Sequence, residues 1–275
     1  MDRAATLIAG CSIEVSPRDE FAGDRLRPLL ASGTTVFVNH PPSVTHHDIV
    51  AACVRLRRAG FDPVPHVAAR RLASFTQASD FLSRAAGEAG AHRILMIGGD
   101  DSPVGPFRAS LDLLATGVVE RHGIAAVAFG GYPEGHPAID AATLDAALQA
   151  KVALARQAGL AVSLVTQFGF EAQPILHWVA AQRAHGIDCP VHVGVAGPAS
   201  VATLAKFAIR CGIGASLRAL ARGHTAFARI MTEAGPDALI GGLVAAEAAD
   251  TAIAGLHVFT FGGVRRTAEW IRANA

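Results

Sequence analysis

Residues 34–68 read TTVFVNHPPSVTHHDIVAACVRLRRAGFDPVPHVA, a β-branched run (34–39), an amphipathic stretch (45–59), a glycine at Gly60 and a second apolar run (63–68). That order is a β–α–β unit, because two parallel strands need a crossover and a helix supplies one. The same alternation extends in both directions. Strands are expected at 7–15, 34–39, 63–68, 93–97, 125–130, 161–167, 190–195 and 255–261. Helical stretches are expected at 19–31, 45–59, 74–89, 107–121, 141–158, 174–185 and 200–211, with a longer helical region at 225–254 and a last helix at 264–274. Gly60, Gly90, Gly123, Gly159 and Gly186 stand between helix and next strand, as helix stops do. Eight such units predict an α/β fold, a single (β/α)8 TIM barrel, with residues 1–275 as one domain.

Composition removes several alternatives. The chain is 51% hydrophobic and 17% charged with a net charge of +1, so it reads as globular, with no charge imbalance directed at nucleic acid or a membrane surface. Cys11, Cys53, Cys189 and Cys211 show no CxxC spacing and are expected as reduced, buried thiols. The apolar start of the chain reads as a first strand and not a signal peptide. The apolar stretch 238–256 is interrupted by Glu247 and Asp250, so it predicts a packed helix, with a subunit contact in a homo-oligomer as the other reading. A cytoplasmic location is expected. Neither GxGxxG after the first strand nor GxxxxGK[ST] occurs, which removes the fingerprints of open doubly wound sheets. GIGAS (212–216) and GVAGPAS (194–200) read as turn glycines.

A barrel builds its site from the C-terminal ends of its strands. Read in order, those ends carry Glu14, Asn39 and His40, His66, Asp100 and Asp101, Tyr132 to His136, Gln167, Gly197 and Phe261 to Gly263. Tyr132 is the only tyrosine. Two carboxylates, Glu14 and Asp100, suit a proton donor and an electrostatic partner. A Schiff-base lysine is not expected, since Lys151 and Lys206, the only lysines, fall in helical segments. No metal is expected: HxH and HExxH are absent, and His46 and His47 open a helix facing different ways.

Five strand-end segments together resemble the methylenetetrahydrofolate reductase family. They are SIEVSP (12–17), GGDDSP (98–103), GYPEGHP (131–137), TQFGF (166–170) and LHVFTF (256–261), and GYPEGHP is the most specific. The resemblance implies an oxidoreductase that interconverts 5,10-methylenetetrahydrofolate and 5-methyltetrahydrofolate. Hydride would pass through bound FAD from NAD(P)H, with a small-molecule folate as substrate. It implies Glu14 as proton donor, a role that requires burial to raise its carboxyl pKa, and Asp100 beside the flavin. Gln167 and Phe170 fall on folate positions, and His66, Gly99, Asp100, Gly130, Tyr132, His136, Asp145 and Lys151 on flavin positions. Three segments depart from the family. The second strand ends in VFVNHPPSVTHH instead of a V-T-Y-G-A-G-G type loop, Gly98 replaces an Arg, and the last strand leads into FGGVRR instead of Asn-Arg. The second reading is a pterin- or flavin-binding barrel without reductase activity, serving a methyl-transfer or one-carbon catabolic pathway.

Overall fold

Seven of the eight expected strands extend where expected, and the first is shorter. The computed structural model describes residues 2–19, 23–213, 236–246 and 253–275. Its strands are β1 (Ser12–Val15), β2 (Thr35–Val38), β3 (Asp62–Ala68), β4 (Arg93–Ile97), β5 (Ala126–Gly131), β6 (Ala161–Gly169), β7 (Val191–Ala196) and β8 (Ile253–Phe259), and they close a barrel in sequence order. Helices α1 (Arg3–Ala9), α2 (His46–Arg58), α3 (Phe75–Ala89), α4 (Ser110–Leu114), α5 (Val118–Arg121), α6 (Ala141–Gln157), α7 (Ala172–Ala184), α8 (Val201–Cys211), α9 (Asp237–Ala246) and α10 (Val264–Asn274) intervene or flank. This is the (β/α)8 architecture.

The chain divides into two compact units. In the unit of Ser12–Gly130 and Ala147–Leu164, β1 to β5 pair in parallel, with Glu14 opposite Phe37, Phe37 opposite Val64 and His66 opposite Leu95. Register partners share a face and side chains alternate, so Glu14, Phe37, Asn39 and His66 lie on one side of this sheet. Ile13, Val36, Val38 and Val67, on the alternate positions, are fully buried. Helix α2 packs on α3 and buries Ile49, Val50, Cys53 and Leu56. A reciprocal cap starts α2: the Asp48 N–H donates to Thr45 Oγ1 (3.2 Å) and the Thr45 N–H to Asp48 Oδ2 (2.9 Å).

In the unit of Met1–Cys11, Gly131–Ala146 and Val165–Ala275, β7 and β8 pair in parallel, and α1 packs on α10, α9 and β8. Gly194 lies inside β7, where an added Cβ would meet the Thr166 carbonyl oxygen at 2.3 Å; it permits close backbone approach and is not the turn glycine expected.

Three expectations on secondary structure fail. The run 7–15 is not one strand: Leu7 and Ile8 belong to α1, capped by Asp2 Oδ1 on the Ala4 N–H (3.1 Å), and β1 begins only at Ser12. Adjacent buried apolar residues in a row with Ala4 and Ala5 fit a helix face, not strand alternation. In 19–31 the described residues form only a 3₁₀ turn, Asp24–Leu26, because Pro28 cannot donate within a helix and Gly23 takes φ 97°. The stretch 107–121 splits into α4 and α5 at Gly117 (φ 68°). The five expected helix-stop glycines all take positive φ. Of the 225–254 region, 225–235 and 247–252 lie outside the described residues, as do Glu247, Asp250 and residues 214–216 of GIGAS. All four cysteines are free thiols, and burial pushes Cys11 and Cys53 up to about 12. Among the described residues no helix is long and apolar enough to cross a membrane.

Candidate active site

Glu14 occupies the penultimate position of β1 and is mostly buried, with 17% of its side chain exposed. Asn39, at a neighbouring strand end, holds its carboxyl by a hydrogen bond, and His66 faces it. Asn39 Nδ2 donates to Oε1 (3.1 Å), and His66 Nε2 lies 3.5 Å from Oε2. The His66 ring is buried and meets Phe37 edge-on, with centroids 6.0 Å apart. Asn39 Oδ1 is buried and has no partner among the described residues. The amide can therefore serve both states of the acid: Nδ2 donates to a carboxylate, and a 180° flip presents Oδ1 to a protonated carboxyl. This arrangement can store and release a proton.

Asp100 follows β4 in a bend and is exposed. The loop that carries it is held from the end of β3. The Arg70 N–H donates to the Gly98 carbonyl (2.9 Å), and Arg70 Nη1 to that of Gly99 (3.1 Å), where Gly99 takes φ 95°. Its neighbour Asp101 pairs with Arg71 Nε at 2.8 Å. Arg71 and Asp101 line a cavity of about 670 Å³ with His40, Pro42, His46 and His47. Sequence reading singled out Asp100 and passed over Arg71, which no motif marks.

Lys151 lies on α6 with Nζ 5.2 Å from the centroid of the Phe129 ring, one residue before Gly130. Burial lowers its pKa to about 8. Among the described residues no carboxylate pairs with it. A desolvated cation facing only a π-face is a ready partner for an anion.

In the other unit, GYPEGHP forms the turn after β5. Gly131 is there because the Trp178 ring packs where a Cβ would sit, at 2.5 Å. The Gly135 N–H closes the turn on the Tyr132 carbonyl (3.0 Å), and the Tyr132 and His136 rings meet edge-on at 5.5 Å. His136 Nδ1 accepts from the Ala138 N–H (3.2 Å), which leaves Nε2 to carry the proton in the neutral ring. Asp145 accepts from Gln182 Nε2 (2.9 Å), so part of its carboxylate is occupied in joining α6 to α7.

Gln167 differs from all of these. Its backbone is fixed: Thr166 Oγ1 donates to the Gln167 carbonyl (2.8 Å) and accepts from the Gly194 N–H (2.8 Å). Its carboxamide is buried, and among the described residues neither Oε1 nor Nε2 has a partner. Three residues along the chain, Phe170 joins an aromatic cluster. Phe168 meets Phe170 at 5.8 Å and Phe261 at 4.8 Å, and Phe261 stacks on both Phe207 (4.1 Å) and Phe259 (5.4 Å).

His46 and His47 do not face different ways. Their rings lie 4.0 Å apart, tilted by 36°, and Asp80 of α3 lies against both. They are the first two residues of α2, where no preceding turn blocks the side chains from swinging to a common side.

The family model described as methylenetetrahydrofolate reductase matches residues 24–261. The chain belongs to the methylenetetrahydrofolate reductase family. Among solved structures, this family member is similar to an uncharacterized protein from Clostridium thermocellum, described as binding two copies of 5-methyl-5,6,7,8-tetrahydrofolic acid. Identity is 10%, the TM-score is 0.59, and 98% of this chain and 94% of that one are covered. A dihydropteroate synthase from Thermus thermophilus aligns at 18% identity and TM-score 0.48, over 96% of this chain and 92% of that one. At 10% identity the likeness to the Clostridium thermocellum protein is one of fold. The match to the reductase family begins after β1, so Glu14 lies outside the matched residues.

Proposed function

We propose that this member of the reductase family interconverts 5,10-methylenetetrahydrofolate and 5-methyltetrahydrofolate, acting in the cytoplasm as one catalytic barrel domain over residues 1–275. FAD would be the bound cofactor and NAD(P)H the hydride donor. The observation that carries the reading is Gln167. A buried carboxamide with both its donor and its acceptor unmet costs about 1–3 kcal/mol per group, so its retention calls for a ligand that meets both. The pterin edge of a folate, with adjacent carbonyl and N–H groups, is that kind of partner. The Phe168–Phe170–Phe261 cluster offers aromatic surface to the rest of such a molecule. Family membership supports the folate class, and a barrel of the same fold is described as binding 5-methyltetrahydrofolate.

Glu14 acts as the general acid. Opening the five-membered ring of the substrate needs a proton at the departing nitrogen, and Asn39 holds the carboxyl that gives it, with His66 facing it. Asp100 is the electrostatic partner, its negative charge favouring the cationic iminium that ring opening leaves.

The residues present fit a flavin. Lys151, a largely buried cation with no carboxylate partner among the described residues, suits a phosphate, and the positive φ of Gly99 opens the backbone after β4 to close approach. His66, Gly99, Asp100, Gly130, Tyr132, His136 and Lys151 would hold FAD, with Asp145 contributing the part of its carboxylate that Gln182 leaves. Bound FAD supplies a two-electron carrier between NAD(P)H and the folate carbon.

The loop after β2 favours the second reading, a pterin- or flavin-binding protein of the same fold without reductase activity. Pro41 and Pro42, with His40, His46 and His47, stand where the family carries small residues. An absorption spectrum of the purified protein, followed by reconstitution with FAD, separates the two. Flavin bands that bleach with NAD(P)H and recover with methylenetetrahydrofolate support the reductase. A colourless protein that takes up no FAD but binds 5-methyltetrahydrofolate overturns it in favour of the second reading.

A further inference from the structure

Asp80 Oδ2 lies 3.4 Å from His46 Nε2 and 3.9 Å from His47 Nε2, and the three ligand atoms all fall within 4.8 Å of one another. We propose that His46, His47 and Asp80 form a site for a divalent transition metal of the zinc class, at the wall of the cavity after β2. The donor set is two imidazole nitrogens and one carboxylate oxygen, which suits zinc and its neighbours and not magnesium or calcium. Metal–ligand bonds of about 2.0–2.1 Å put tetrahedral ligand atoms roughly 3.3 Å apart, so the pairs measured need only small rotations to close.

The surroundings hold the ligands ready. The His46 side chain is only 11% exposed and packs on Phe81, with ring centroids 5.8 Å apart. Arg84, whose charge also acts on Asp80 and His46, is engaged by both carboxylate oxygens of Glu88 (2.6 and 3.3 Å). A cation beside the first turn of α2 meets the positive end of that helix, and the capping carboxylate of Asp48 offsets it. His47 and Asp80 are about half exposed, so a metal can enter from solvent. His46 and His47 also line the cavity of about 670 Å³, together with Arg71, whose buried Nη1 has no partner among the described residues. The open positions of the metal would take water or an anionic oxygen from that side. This site is independent of the folate reading.

The test is titration of chelator-stripped full-length protein with Zn²⁺, by calorimetry or against a chromogenic chelator. The expected result is one equivalent bound with Kd tighter than about 10 µM. His47→Ala and Asp80→Ala should each weaken it at least about tenfold, with unchanged circular dichroism and melting. His185→Ala, an exposed histidine at the end of α7, serves as the control and should bind like the parent. A parent Kd weaker than that limit overturns the proposal. So does an affinity that neither substitution changes, or one that His185→Ala lowers as much.

Discussion

The polar groups at the ends of β1, β2 and β3 face one another, with a hydrogen bond from Asn39 to Glu14, whereas among the described residues the carboxamide at the end of β6 meets no hydrogen-bond partner. Glu14 has Asn39 at 3.1 Å and His66 at 3.5 Å. Gln167 has a backbone locked by Thr166 and, among the described residues, an unanswered side chain beside an aromatic cluster. On the proposed function, Glu14 does the chemistry and is oriented before substrate arrives. Groups that will recognise a ligand must keep their valences open, and the folded chain bears the cost of that. Lys151 belongs with Gln167, a buried charge with a ring beneath it and no counter-ion among the described residues.

The largest effect should come from breaking the partnered end. Glu14→Gln keeps the size and the contact with Asn39 but removes the acid. A positioned general acid supplies on the order of 10²–10⁴-fold, or about 3–5 kcal/mol of barrier. Rapid-mixing experiments should show folate turnover reduced by that factor, with reduction of bound flavin by NAD(P)H preserved. A variant within about threefold of the parent would mean that Glu14 only braces Asn39 and His66.

How far the sequence was legible follows from the range of the interactions involved. Strands β2 to β7 were readable because each is a short apolar run closed by a glycine or a polar cluster, a purely local signal. The first helix was not, since LIAG carries no periodicity long enough to separate helix from strand, and only packing on α10, α9 and β8 decides it. Pro28 could have warned against a helix at 19–31. Glu14 and Gln167 were visible as polar residues at strand ends. What they touch was not: the Asn39 bridge, the Arg71–Asp101 pair and the approach of Asp80 to His46 and His47 all join neighbouring βα units through registers that no motif states.

Filling the open valences of Gln167 with hydrocarbon should sharpen the contrast from the other side. Gln167→Leu removes two buried unmet polar atoms at nearly constant volume, so the ligand-free protein should gain on the order of 1–3 kcal/mol. That gain would raise the melting temperature by several degrees. Folate affinity should fall roughly 10–100-fold, the loss of two hydrogen bonds. Stability and binding move in opposite directions only if the carboxamide is reserved for a ligand. If both fall together, Gln167 is a packing residue and the contrast between the two regions fails.

The smallest effect on binding belongs to Lys151, and it depends on pH. Burial depresses its pKa to about 8 from 10.5, so the fold disfavours the ammonium form. Below about pH 8 the folded and unfolded chains both carry the proton and the burial cost is fully present. Between about 8 and 10.5 the folded chain releases the proton while the unfolded chain keeps it, so stability of the ligand-free protein should rise with pH across that window. A bound phosphate reverses the preference, because it needs the cation. FAD affinity should therefore weaken as pH rises through 8, by about tenfold at pH 9 if only the ammonium form binds. Lys151→Met should flatten that profile. It should also stabilise the ligand-free protein at pH 7, by on the order of 2–3 kcal/mol, an advantage that shrinks toward pH 10.5. Denaturant titrations at three pH values and FAD titrations at two would read both slopes. A flat binding profile in the parent would remove Lys151 from the phosphate site while leaving the stability prediction standing, since that follows from burial alone.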